Sequence, residues 1–223
     1  MHKPLDALIL DKDGVIFDSE RIYAETLKEA LAAMNLPVDP GLIARFTGLD
    51  SASTFALLCE ILGQQIDTDA LIDDWLRRKD IVYQRDGLPF MPGADKLIRR
   101  AYEAGYPLAL VTSDSLDRTL EDFSHTDYSL MQCFSVIITV DDVVNPKPDP
   151  EPYLRATAFL GIDPQHALVV EDSDHGANAA LAAGANVLLL PGRRQVAADI
   201  AGRVRAMIAH HDETWEYLRA HSA

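Results

Sequence analysis

The 223-residue chain holds 35 acidic against 20 basic residues, a formal charge of −15, with 48% hydrophobic and 25% charged residues. It can bury a core, as one large domain or one domain with an insert, and its acidic far field argues against nucleic-acid and anionic-membrane partners; an anionic substrate would need a local positive site. There is no uninterrupted apolar run of membrane-spanning length, the N-terminus lacks a secretory h-region, and Cys59 and Cys133 form no CxxC pair, so a cytoplasmic chain with two ordinary thiols is expected.

The first predicted element is the strand "LDALIL" (5–10), which stops at Asp11, with Asp13 two positions later and Gly14 after it. Residues i and i+2 of extended backbone project to the same side, which sets the two carboxylates roughly 6–7 Å apart along the chain. Gly14 lets the backbone turn away. A calcium loop fails on spacing, because Val15 and Ile16 stand where a ligand and a glycine are needed. Lys12 lies on the opposite face, and burying its ammonium requires an acid or a path to solvent.

About ninety residues then separate the first strand from the second, far more than a crossover needs. The intervening stretch is helical in pattern, with Tyr23, Leu27, Leu31 and Met34 on one stripe and Phe55, Leu58, Ile61 and Leu62 on another. A helical insert at 16–89 is expected, joined by linkers near 15–18 and in "DGLPFMPG" (86–93), with the core made of 1–15 and 90–223. Two such linkers suit a lid.

After the helix "ADKLIRRAYEAG", which Gly105 should end, come the strands "PLALVT" (107–112), "VIITV" (136–140), "ALVVE" (167–171) and "NVLLLP" (186–191). Helix-like segments such as "PYLRATAFLG" and "HGANAALAAGA" connect them. Five buried strands with helical crossovers predict an α/β fold, a doubly wound parallel sheet. Its ligand crevice borders the carboxyl ends of the strands. Thr112, with Ser113 beside it, Lys147 between Pro146 and Pro148, and Glu171 with Asp172 all fall at such ends. Asp114 is expected to point away as a helix-capping or first-turn acid. His175 reads as a surface residue at a helix start, and the tail from Val196 as polar, helical and uninformative.

In order, "DKDGVIFDS", "VTS", "NPKPDP" and "VVEDSDHGANAALAAGA" make the chain resemble the haloacid dehalogenase-like hydrolase superfamily, in its helical-cap phosphatase and β-phosphoglucomutase-like branch. The resemblance implies Asp11 as nucleophile, Asp13 as general acid and base, and Thr112, Ser113 and Lys147 on the phosphate. It implies Mg²⁺ held by Asp11, Asp13 through its carbonyl, Asp172, and Glu171 directly or through water. "RFTGLDS" looks like the specificity loop, which nominates Arg45 and Gly48. Among the cations of "LRRKDIVY", Lys79 is nominated as a substrate contact, against the plainer reading of a solvated helix face.

Asp13 favours phosphate-ester chemistry, since the dehalogenase members lack an acid there. The expected activity is hydrolysis of small phosphorylated metabolites, sugar phosphates or phosphoglycolate-like monoesters, by a monomer or weak dimer. A hexose-phosphate mutase ranks second, because Tyr23 stands where that subgroup carries a cap histidine. A catalytically idle phospholigand-binding regulator is the alternative from another class.

Overall fold

A computed structural model describes residues 4–36, 57–61, 67–191 and 196–222. Arg45, Gly48 and the rest of "RFTGLDS", with Phe55 and Leu62, lie outside the described residues. The chain forms two compact units, Met1–Asp18 with Pro89–Ala223, and Ser19–Leu88.

The larger unit is built on β1 (Ala7–Leu10), β2 (Leu108–Val111), β3 (Val136–Ile138), β4 (Ala167–Glu171), β5 (Asn186–Leu189) and β6 (Ala206–Met207). These strands are all parallel, in the order β3-β2-β1-β4-β5-β6. β1 is central, between β2 and β4, and every residue of these three strands is buried, as expected of a sheet covered on both faces. Leu10 is level with Leu110 and with Val170, which brings Asp11, Thr112 and Glu171 to one end of the sheet.

Five strands were expected and six are found among the described residues. β6 escapes sequence reading because two residues carry no period and its surroundings are charged; its pairing with Leu188 and Leu189 of β5 is what makes it a strand. Nor is the tail uninformative. Its terminal helix buries Thr214 and Leu218, and its His211 Nε2 donates to the Val15 carbonyl oxygen at 2.7 Å, in the loop that follows Asp13.

The smaller unit contains α1 (Ser19–Ala33) and α2 (Thr68–Asp86). Leu27 and Leu31 are buried with Leu58, Leu71 and Trp75, and Tyr23 and Met34 pack at the margin, so the predicted stripe faces this unit's core. Asp67 caps α2 by accepting the Ala70 N–H at 3.0 Å.

In the larger unit α3 (Ala94–Glu103) buries Ala94, Leu97, Ile98 and Ala101, an i, i+3, i+4, i+7 stripe. It ends as Gly105 requires. At φ +84° that residue donates to the Tyr102 carbonyl while Tyr106 donates to that of Ala101, the paired bonds of a Schellman turn. α4 (Leu116–Ser124), α5 (Glu151–Leu160), α6 (Asp174–Ala182), α7 (Ala198–Ala201) and α8 (His211–His221) complete it. Among the described residues no helix is long and apolar enough to cross a membrane.

Candidate active site

The carboxyl end of β1 delivers Asp11 into a group of carboxylates around one lysine. Lys147 Nζ donates to Asp11 Oδ1 at 2.6 Å, to Glu171 Oε1 at 2.7 Å and to the Val111 carbonyl at 3.0 Å. An ammonium has three donors, and here they reach the ends of β1, β4 and β2 in turn. The loop that presents Lys147 is held from behind by Glu151, at the start of α5. Glu151 accepts the backbone N–H groups of Val144 and Asn145 and the Asn145 side-chain amide.

Glu171 is fully buried and saturated with donors. Oε1 also accepts the Tyr153 hydroxyl, and Oε2 accepts from the Asp172 N–H and the Ser173 hydroxyl, both at 3.1 Å. Two close approaches depend on glycine. A Cβ on Gly176 would lie 1.8 Å from Glu171 Oε1, and one on Gly14, at φ +76°, would lie 2.0 Å from Asp172 Oδ2.

One cation does not neutralise the three acids here. Burial lifts the Asp11 pKa, Lys147 opposes it, Glu171 and Asp13 add to it, and the result is pushed up to about 7. Burial, with Asp11 and Glu171 next, holds Asp172 well above the usual carboxylate range. Burial also opposes the ionisation of Glu171, but Lys147 and the donors around it keep this acid below its ordinary value. Lys147 itself is held well above the ordinary lysine value, because Asp11 and Glu171 outweigh the desolvation of its charge. Asp11, Glu171 and Asp172 each offer a carboxylate oxygen within 4.8 Å of the others. A hard divalent cation among oxygen donors would relieve that excess of negative charge, so the donor set fits Mg²⁺.

A second charged group stands beside the first. Lys12 is wholly buried, and its ammonium lies 2.6 Å from Asp114 Oδ2, 3.3 Å from Asp13 Oδ2 and in contact with Asp122 Oδ2. Arg118 Nε approaches the other Asp122 oxygen at 3.4 Å. Lys12 therefore satisfies the need for an acid rather than for solvent. Asp114 corrects the expectation that it points away: its carboxylate turns inward to Lys12, and Ser115 caps α4 in its place by accepting the Arg118 N–H. Burial comes first in raising the Asp114 and Asp122 pKa values, with Asp13 adding and Lys12 opposing.

The remaining nominated residues are distributed unevenly. Thr112 is buried at the end of β2, and its hydroxyl accepts the Asp114 N–H at 3.1 Å, whereas Ser113 is exposed. His175 is exposed in the first turn of α6, as expected. Lys79 is not on a solvated face: it is buried within the helical unit, 5.5 Å from the Tyr83 ring centre and 5.9 Å from that of Tyr23. Arg77 and Arg78 pair with Asp74.

Tyr153 and Glu151 were not foreseen as site residues. The apolar pattern of "PYLRATAFLG" makes Tyr153 a core aromatic, and only the fold brings its hydroxyl to Glu171 and its ring beneath Lys147, 5.1 Å from the ammonium. An acid opening a helix after a proline-rich loop was the available signal for Glu151.

A buried carboxylate beside a lysine and an acidic cluster, at the carboxyl ends of a doubly wound sheet whose chain is interrupted by a helical insert, defines a Rossmann-like α/β protein with a charged crevice. Residues 8–190 match the family described as haloacid dehalogenase-like hydrolase, and the chain belongs to that family. It is 30% identical to the phosphorylated carbohydrates phosphatase of Thermotoga maritima, over 81% of this chain and 82% of that one. It is 28% identical to the mitochondrial (DL)-glycerol-3-phosphatase 1 of Arabidopsis thaliana over 84% of this chain, and spans 64% of that relative's length. The crystal structure of a candidate β-phosphoglucomutase from Thermotoga maritima is similar at a TM-score of 0.80 and 26% identity, covering 97% of this chain and 99% of that one.

Proposed function

We propose that the chain is a Mg²⁺-dependent phosphatase of small phosphorylated metabolites, working through an aspartyl-phosphate on Asp11. The observation that carries this reading is the contact of Asp11 with Lys147, which holds a buried carboxylate in place beside a cation suited to an incoming phosphate. The second Asp11 oxygen would attack phosphorus as the ester P–O bond breaks. Asp13 would protonate the departing alkoxide, then take a proton from the water that cleaves the aspartyl-phosphate and releases inorganic phosphate. Lys147 would supply positive charge where the phosphoryl oxygens gather negative charge, and Thr112, buried at the end of β2, would offer a hydroxyl. Asp11, Asp172 and the Asp13 carbonyl would hold Mg²⁺, with Glu171 acting through water because its oxygens are already engaged; the ion would neutralise charge on the phosphoryl group.

The relatives that act on phosphorylated carbohydrates and glycerol 3-phosphate support a small alkyl monoester as substrate. The test is phosphate release from sugar phosphates, glycerol 3-phosphate, phosphoglycolate and nucleotides, with and without Mg²⁺, with Asp11→Asn as blank. At least one small ester should be hydrolysed only with metal and only by the native chain; silence across the panel would overturn the reading.

A mutase is the second reading, supported by the likeness to a candidate β-phosphoglucomutase. Against it, Tyr23, at the place of that subgroup's cap histidine, packs edge-to-face on Trp75 with ring centres 6.1 Å apart. Exchange between glucose 1- and 6-phosphates in the same samples would favour the mutase.

A further inference from the structure

We infer that Lys12 is a positioning residue: its buried ammonium, anchored on Asp114 and Asp122, holds the Asp13 carboxyl group where, in its protonated form, it can give a proton to the leaving group. The inference rests on the phosphatase reading and deepens it. Lys12 and Asp13 are adjacent in sequence, so their side chains leave the extended backbone on opposite faces. The chain overcomes this by turning at once. Ile16 and Phe17 both donate to the Lys12 carbonyl, at 2.8 and 3.0 Å, which folds the segment back so that the Lys12 stem runs inside while its ammonium returns to Asp13 Oδ2 at 3.3 Å.

The anchors come from another part of the fold. Asp114 follows β2 and Asp122 lies on α4, so the ammonium is held from two points outside the β1 loop. Asp122 is itself fixed by Arg118. The three carboxylates come within 4.8 Å of one another. Without the ammonium between them they repel, and Asp13, whose side chain is the most exposed of the three at 28% against 24% for Asp114 and 1% for Asp122, is the one that repulsion turns outward. A general acid must keep hydrogen-bond reach of the leaving oxygen, so a carboxylate turned to solvent loses the proton-transfer step and not the phosphate site.

The leaving group separates these roles. An alkyl alkoxide needs a proton to depart, whereas p-nitrophenolate leaves without one. The comparison is kcat/KM for p-nitrophenyl phosphate and for the best alkyl phosphate of the panel, with Mg²⁺, in the native chain, Asp13→Asn, Lys12→Met, Lys12→Arg and Lys12→Met/Asp122→Asn. Circular dichroism reports folding, and the double variant removes one acid with the cation so that a folded protein remains to be measured. Lys12→Met or the double variant should lose roughly 100-fold on the alkyl ester and less than roughly tenfold on the aryl ester, the pattern of Asp13→Asn, with partial recovery in Lys12→Arg. Equal losses on both esters, or none, in a folded Lys12 variant overturn the inference while the phosphatase reading stands. If Asp13→Asn is itself unselective, the acid assigned to Asp13 is wrong and this inference goes with it; a native chain inert on both esters removes the phosphatase reading first.

Discussion

Asp11 shows how a buried site sets its own pH response. Its pKa rises from an ordinary 3.8 to about 7, chiefly through burial. Between those values the unfolded chain has given up a proton that the folded chain keeps, so without a bound cation folding becomes less favourable as pH rises through that window. The metal-free protein should therefore melt several degrees lower at about pH 7.5 than at about pH 5, and Asp11→Asn should flatten that slope. Mg²⁺ should raise the melting temperature more at the higher pH, where the acids it would neutralise are ionised. A metal-free slope that Asp11→Asn leaves intact would place the charge excess elsewhere. Lys12 belongs to the same scale: breaking a buried charge cluster by removing one partner costs about 3–5 kcal/mol, which is why its test includes a charge-compensated double variant.

At the scale of elements, the loop between β3 and α5 is the part whose rigidity matters most. Lys147 reaches Asp11 from a segment with no regular structure, and Glu151 ties that segment to the first turn of α5, helped by Arg155, whose Nε donates at 2.8 Å. The same donors, the Asn145 and Val144 N–H groups first, lower the Glu151 pKa to about 2. The stabilisation is present above an ordinary value near 4.5 and is lost as pH falls toward about 2, so the tie is intact at any pH where phosphatase assays run. Glu151→Ala should cost roughly 10- to 100-fold in kcat/KM, through misplacement of Lys147, with only a small change in melting temperature. Steady-state kinetics beside a thermal melt decide it; a large fall in stability with unchanged kcat/KM would mean that the loop needs no such tie.

For the whole molecule, the helical unit leaves and rejoins the sheet unit at one place. Asp18 donates to the Pro89 carbonyl at 2.9 Å and Met91 to that of Ile16 at 2.8 Å, so the two chain crossings lie side by side. A Gly/Ser link of about four residues from Asp18 to Pro89 can close that gap. The shortened chain should fold cooperatively, keep Mg²⁺-dependent hydrolysis of p-nitrophenyl phosphate, and lose discrimination among the natural esters; failure to fold would show that the sheet unit depends on the insert. By itself the sequence determined the parallel sheet, the turn at Gly14, the helix stop at Gly105, the acids that follow β1 and end β4, and the lysine between its prolines, because apolar period, turn chemistry and strand termination act over a few residues. Pairing across the fold was beyond its reach. Lys12 meets Asp114 and Asp122 at separations of 102 and 110 residues, Tyr153 reaches Glu171 from a helix that reads as plain core, and β6 exists only through β5. Only the tertiary structure decided these, because which buried charge finds which partner depends on where the sheet brings distant segments together, and no local pattern carries that.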